Sequence, residues 1–216
     1  MKKLSKIIGI TAFCLTSGNF VFAQGVQTGL TLGASLGGAS TQNYDSSGII
    51  SNTTKTQGGA YGGFAVGYDL ALTQNISLGV ESGFYYGYSL ASLKADGLDK
   101  SNLNQWNIPL LIVGKYTFNN GVNVFAKAGA TYVHQQITNT DTYFVPGTNG
   151  TNFEFLPELA AGVGYKFTNG INIGGQLGYL FGSTADLRTS NSYHGNDVKV
   201  AASVTLTAYI SYTFPI

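Results

Sequence analysis

From Val26 onward the chain alternates apolar residues with small or polar ones in eight separate segments, each long enough as an extended strand to cross a hydrocarbon layer. The first sets Val26, Leu30, Leu32, Ala34 and Leu36 against Gln27, Gly29, Thr31, Gly33 and Ser35. The second sets Phe64, Val66, Tyr68, Leu70 and Leu72 against Tyr61, Gly63, Gly67 and Asp69, and the third sets Ile76, Leu78, Val80, Phe84, Tyr86, Tyr88 and Leu90 against Ser77, Gly79, Glu81, Gly83, Tyr85 and Gly87. The fourth runs Trp106, Ile108, Leu110, Ile112, Tyr116 and Phe118 against Asn107, Lys115 and Thr117, with Leu111 and Val113 off the pattern. In the fifth, Val122 to Tyr132 oppose Asn123, Lys127, Gly129 and Thr131, while Phe125 and Val133 sit on the polar parity. The sixth pits Phe155, Leu159, Val163, Tyr165 and Phe167 against Glu158, Gly162, Gly164 and Lys166, and the seventh Ile171, Ile173, Leu177, Tyr179 and Phe181 against Asn172, Gly174, Gln176 and Gly178. The eighth is the most regular, with Val200, Val204, Leu206, Ala208, Ile210, Tyr212 and Phe214 facing away from Ser203, Thr205, Thr207, Tyr209, Ser211 and Thr213. Period-two alternation of this length predicts strands.

The connections alternate too. Thr73-Gln74-Asn75, Asn119-Asn120-Gly121 and Thr168-Asn169-Gly170 are short turns, and the last two end in glycine, which supplies the φ > 0 that tight hairpins need. Between them lie four long polar stretches, Thr41 to Gln57, Ala91 to Gln105, Ile137 to Asn152 and Thr184 to Asp197. Eight hairpin-linked strands with short turns on one side and long loops on the other predict an all-β fold, an eight-stranded antiparallel up-and-down transmembrane barrel. Both termini then share the short-turn side, expected to be periplasmic, and the four loops face outward.

A soluble barrel would show the same alternation, so the choice rests on other features. The polar face is mostly Gly, Ser, Thr and Asn, which suits a crowded lumen and would make a poor soluble surface. Apolar-parity aromatics gather at both strand ends: Tyr68, Tyr116, Phe118, Tyr165, Phe167, Tyr212 and Phe214 near the short turns, and Tyr86, Tyr88, Trp106, Tyr132, Tyr179 and Phe181 toward the loops. Two such belts are what membrane interfaces select. Composition agrees, with charged residues at 10% where a soluble domain carries about 25%.

The amino terminus reads as export machinery. Lys2, Lys3 and Lys6 precede an apolar run from Ile7 to Leu15 and a Val21-Phe22-Ala23 cleavage pattern. Residues 1–23 are therefore expected to be a cleavable signal peptide, with residues 24–216 forming the barrel in the outer membrane of a Gram-negative bacterium. Cys14 falls inside the signal, so neither disulfides nor thiol catalysis are expected in the mature chain. Removal of the signal leaves eight Lys and Arg against ten Asp and Glu, a net charge of −2, which gives no hint of nucleic-acid binding.

Chemistry then has two places to sit. Asp69, Glu81, Lys115, Lys127, Glu158 and Lys166 all fall on the lumen parity. Three acids and three bases in a narrow, poorly hydrated space should pair. Counting from the turns puts Asp69 level with Lys115, and Glu81 near Lys127. The plain reading is a structural charge network that plugs the lumen; the sharper one is a gated ion or proton path. On the loops, Tyr44, Ile49, Ile50, Tyr143, Phe144 and Tyr193 could anchor a host or cell-surface ligand. Catalysis has less support. His134, followed by Gln135-Gln136, and His194, near Ser192, do not form the His-x-Ser pattern of lipid A deacylases, and two distant histidines without cysteine make no metal signature. The loop acids Asp45, Asp96, Asp99, Asp141, Asp186 and Asp197 match no calcium-loop spacing. No enzyme activity and no cofactor are expected.

Two segments carry a family resemblance. Trp106-Asn107-Ile108-Pro109-Leu110-Leu111, followed by Lys115-Tyr116 and an Asn-Gly turn, resembles the "IPLL…KY" strand of the outer-membrane β-barrel family that includes opacity-type and OmpX/OmpA-like proteins. Leu156-Pro157-Glu158-Leu159-Ala160-Ala161-Gly162-Val163-Gly164-Tyr165 resembles that family's later glycine-rich strand. The resemblance implies a surface structural or adhesion role carried by the loops, outer-membrane lipids and lipopolysaccharide as surroundings, and recognition by the barrel assembly machinery. That machinery reads a terminal aromatic in the family, whereas here Tyr212 and Phe214 are followed by Pro215 and Ile216. A narrow porin-like channel and, behind it, a lipid A-modifying enzyme are the alternatives.

Overall fold

The computed structural model describes residues 25–41, 44–45, 53–95, 100–139, 151–183, 185–186 and 200–216. Eight antiparallel strands close on themselves: β1 (Gly29–Thr41), β2 (Gly59–Ala71), β3 (Ile76–Ala95), β4 (Lys100–Thr117), β5 (Val122–Asn139), β6 (Thr151–Lys166), β7 (Ile171–Leu180) and β8 (Ser203–Pro215). Each pairs with its neighbours in sequence, and β8 returns to β1 from Gly29↔Pro215 to Thr41↔Ser203. Following the pairings once around from Thr31, through Gly67, Glu81, Leu111, Gly129, Glu158, Leu180 and Ser203, ends at Thr41, a stagger of ten residues (31 to 41). Such a stagger tilts the strands by roughly 40° and leaves an interior that side chains can fill.

Adjacent residues show which face meets which medium. Leu110 is 67% exposed and Leu111 3%, so the regular apolar parity points outward and the off-pattern leucine points into the lumen. Val113, Phe125 and Val133, the other exceptions to the alternation, are likewise buried inside. Ser82 breaks the outward apolar band for a local reason. Pro109 has no N–H, the β3–β4 ladder skips Gly83 and Phe84, and the Ser82 hydroxyl donates to the Pro109 carbonyl at 2.7 Å.

The second and third turns are three-residue loops closed by a left-handed glycine. In the second, Phe118 N bonds Val122 O and Gly121 N bonds Phe118 O, with Gly121 at φ 88° and Asn120 Oδ1 accepting from Val122 N. The third repeats this with Gly170 at φ 87° and Asn169. Only the glycine carries positive φ; the preceding asparagines act as side-chain acceptors instead.

Three expectations need correction. Leu90, placed on the outward face by alternation, is fully buried. Ser89 adopts φ 54°, the ladder slips between Gly87 and Ala91, and Leu90 folds back over Gly87 into the lumen. This bulge faces a break in the neighbouring strand at Gly58 (φ 100°), whose N–H bonds Leu90 O and beyond which Thr53–Gln57 continues the ladder against Ala91–Ala95. Second, Val200 is not an outward strand residue: β8 starts at Ser203, and Val200 is fully buried in the outer mouth. Third, the long loops are shorter than their polarity suggests. β3 runs to Ala95, β4 starts at Lys100, β5 reaches Asn139, β6 starts at Thr151, and Ala185–Asp186 pairs in parallel with Tyr44–Asp45. Polar residues mark where lipid ends, whereas backbone pairing continues beyond it.

Candidate functional site

The lumen is built from the inward parity of all eight strands, and its polar groups fall in layers set by the stagger. Nearest the short turns, the registers bring Thr31, Asp69, Lys115, Asn123, Lys166 and Asn172 to one level. Lys115 Nζ lies 3.1 Å from Asp69 Oδ2, and the Thr31 hydroxyl donates to the same oxygen at 3.0 Å. Across the ring, Asn123 Nδ2 donates to Asn172 Oδ1 at 2.9 Å and Asn172 Nδ2 to the Tyr209 hydroxyl at 3.2 Å. A Cβ on Gly164 would meet that hydroxyl, so a larger residue there would have to displace the Tyr209 side chain.

One layer further in, Lys127 Nζ lies 2.6 Å from Glu81 Oε1, with Lys127 also 5.3 Å from the centre of the Phe125 ring. Phe125 meets Tyr209 edge-on at 5.5 Å. A cavity of about 60 Å3 lies among Asp69, Lys115, Glu81, Lys127, Gln176 and Tyr209. Tyr85 forms part of its lining, and stacks on Tyr61 at 5.7 Å with the rings 5° from parallel. Leu90 and Ala39 complete a buried cluster with the two tyrosines.

Of the six charges expected to pair, the structure joins Asp69 with Lys115 and Glu81 with Lys127. The third pair does not form. Glu158 lies in the middle of β6 and Lys166 at its end, too far apart along one extended strand to approach each other. Glu158 instead accepts a hydrogen bond from the Thr131 hydroxyl, and Lys166 is buried without a carboxylate.

Above the tyrosines a chain of amides closes the outer end. Asn107 Nδ2 donates to Tyr61 OH at 3.1 Å, Gln105 Nε2 to Asn107 Oδ1 at 2.8 Å, and Gln135 Nε2 to Gln105 Oε1 at 2.6 Å. Gln135 also clasps the backbone of Ala201, donating to its carbonyl at 3.2 Å and accepting from its N–H at 2.9 Å. Residues 200–202 thereby lie across the mouth, and Val200 packs with Val133, Leu156 and Leu180. Sequence reasoning placed Tyr61, Tyr85 and Tyr209 on the inner parity without giving them a role, and missed Gln105 and Gln135. Bulky aromatics on an otherwise glycine-rich parity were the available signal.

On the outside, the short-turn belt contains edge-on pairs Tyr116–Phe118, Tyr165–Phe167 and Tyr212–Phe214 at 4.8, 4.9 and 4.6 Å, and Tyr68 is exposed beside them. Toward the loops, Phe64, Phe84, Trp106, Tyr132 and Phe155 form a continuous ladder of ring contacts across five strands, with Tyr179–Phe181 on β7 and Tyr86 and Tyr88 exposed on β3. His134 stacks on Trp106 at 4.9 Å rather than beside a serine. Among the described residues no three metal-ligating side chains gather. Ile49, Ile50, Tyr143, Phe144, Tyr193, Ser192 and His194 lie outside the described residues, and Tyr44 is described only by its strand pairing.

Comparison with curated proteins by sequence finds no match. Among solved structures, Neisserial surface protein A aligns with 88% of this chain and 99% of its own at 15% identity, with a TM-score of 0.51. Ail, the attachment invasion locus protein of Yersinia pestis, solved in complex with the heparin analogue sucrose octasulfate, aligns with 87% of this chain and all of its own at 13% identity and a TM-score of 0.48. OprG from Pseudomonas aeruginosa aligns at 12% identity over 90% of this chain and 100% of its own, with a TM-score of 0.46. At these identities the first likeness speaks for the fold alone. The family model for the outer membrane protein beta-barrel domain matches residues 10–208, and the chain therefore belongs to that family of outer-membrane β-barrels.

Proposed function

We propose that this protein is a non-conducting barrel that displays an interaction surface at its outer rim, with a structural or adhesion role carried by the extracellular loops. The observation that carries the reading is the closed outer end of the lumen, where Tyr61, Tyr85 and Leu90 pack together and Gln135 straps residues 200–202 across the mouth. A solute path would have to break that packing, so the loops on their rigid scaffold are what remains for function. Membership of the outer-membrane β-barrel family places that surface on the outer membrane. In this reading residues 1–23 are cleaved on export, the termini are periplasmic, lipopolysaccharide surrounds the loop-side aromatic belt, and the assembly machinery reads the β8 end at Tyr212 and Phe214. The loops make no catalytic contribution; unchanged lipid A mass in expressing cells is the expected result.

The test is adherence. Cells expressing the protein should bind cultured host cells or matrix above non-expressing controls, and replacing Tyr143 and Phe144 with serine should reduce that binding without changing barrel yield. Equal adherence of expressing and control cells would contradict the reading.

The narrow-channel alternative draws on one observation, the cavity lined by two ion pairs. It requires that Glu81→Ala produce or enlarge an ionic conductance.

A further inference from the structure

The cavity beside the two ion pairs has a charged half and an uncharged half. Asp69, Glu81, Lys115 and Lys127 reach it from β2 to β5, two acids and two bases that balance. Ser35, Gln176 and Tyr209 reach it from β1, β7 and β8, and no residue lining it from those three strands is charged. Four strands separate β7 from β3 in either direction around the barrel, so Gln176 and Glu81 border the space from opposite walls.

Both walls keep hydrogen-bonding capacity. Among the described residues none bonds the Gln176 carboxamide, which retains its C=O and its NH2. Ser35 Oγ is buried without a partner, and the Tyr209 hydroxyl accepts from Asn172 and retains its own proton. On the charged wall, Lys127 meets Glu81 through Oε1 and Lys115 meets Asp69 through Oδ2, which leaves the second oxygen of each carboxylate and further ammonium protons. Each wall therefore sets a donor beside an acceptor. The balance of charge calls for an uncharged guest, because a net charge would be stranded there and a zwitterion would lose its water at both ends. At roughly 10–15 Å3 for each water-sized site, the cavity of about 60 Å3 takes about four to six heavy atoms, too few for a sugar or a nucleobase.

We propose that this cavity binds a small uncharged amide of the urea type. Urea fits the size and carries a carbonyl lone pair beside an N–H on each of two opposite edges. One edge pairs with the Gln176 carboxamide through two antiparallel hydrogen bonds. The other bridges the Lys127–Glu81 pair, the urea oxygen accepting from Lys127 Nζ and the N–H donating to Glu81 Oε2. An alcohol of the same size cannot present a donor and an acceptor to both walls at once. The tyrosine stack and the segment at residues 200–202 close the outer end, so exchange is through the short-turn end. The site depends on neither conduction nor the loops.

The experiment is a chemical-shift titration of the isotope-labelled, refolded chain in micelles with urea, kept below the concentration at which the heat-modifiable gel mobility is lost. Backbone amide resonances of Gln176, Glu81 and Lys127 should move saturably, whereas those of the exposed turn residues Asn119 and Asn120 should drift linearly. Tetramethylurea, which keeps the carbonyl and has no N–H, should give no saturable component. Gln176→Met keeps the side-chain length, removes both hydrogen bonds of that wall, and should raise the urea half-saturation about tenfold or more. Linear shifts throughout, the result for a cavity that holds only water, or an unchanged half-saturation in Gln176→Met, would overturn the proposal. Should Gln176→Met not fold, the comparison of urea with tetramethylurea on the parent chain decides.

Discussion

Replacing Glu81 by alanine strands Lys127 in the interior. The pair is short, 2.6 Å, and its side chains are only 10% and 18% exposed, so neither charge can turn to bulk solvent. Removing one partner of a buried pair costs about 3–5 kcal/mol, most of it the penalty of the charge left behind. Lys127→Met removes the other partner and leaves Glu81 alone, with a similar cost. Removing both charges eliminates the stranded group, so the double variant should be less destabilised than the sum of the singles. The coupling should lie in the range of about 0.5–3 kcal/mol found for groups in direct contact. Trp106 is the chain's single tryptophan and lies in the outer belt against His134, so its fluorescence reports folding into lipid vesicles across a urea series. If both single variants stay within about 0.5 kcal/mol of the parent and show no coupling, the pair contributes no stability and the layered lumen is wrong.

The outward parity of Leu110 makes Leu110→Arg costly, about 2–4 kcal/mol if the position lies at the bilayer midplane, and a urea series in vesicles measures it; an insensitive variant would refute the assignment of faces. Gly164→Ala should destabilise by about 1–3 kcal/mol because its Cβ meets the Tyr209 hydroxyl, with Tyr209→Phe restoring much of the loss in the same assay. Gln135→Ala removes both hydrogen bonds that hold Ala201 and should speed trypsin cleavage at the Lys199–Val200 bond in the folded barrel, followed by mass spectrometry; an unchanged rate would show that the strap is held by other contacts.

Strand number, closure and facing were legible because lipid and lumen impose opposite demands on alternate residues, so that Leu110 and Leu111 differ as sharply in exposure as any core and surface residue. The two ion pairs were legible for a related reason: parity fixes the inner face, and distance from a short turn fixes depth for neighbouring hairpins such as those carrying Asp69 and Lys115. Lys166 and Glu158 were not, because their surroundings depend on the stagger accumulated around the whole barrel. The inward turn of Leu90 rests on the left-handed backbone of Ser89, a residue type that gives no warning of it. Backbone pairing through Leu93 to Ala95, and in Thr53–Gln57, was hidden because polar side chains above the lipid resemble loop composition. The strap at residues 200–202 was hidden in the same way, since Gln135 reaches it across 66 positions of sequence.

The central claim is that the lumen is closed. Single-channel recording of the refolded chain in planar bilayers, on material whose folded state is first established by heat-modifiable gel mobility, tests it most directly. The expected result is a folded barrel that inserts without conducting at any holding potential. Discrete, reproducible conductance steps from the parent chain would contradict the closed mouth at Tyr61, Tyr85, Leu90 and residues 200–202, and would make the lumen charges the functional site.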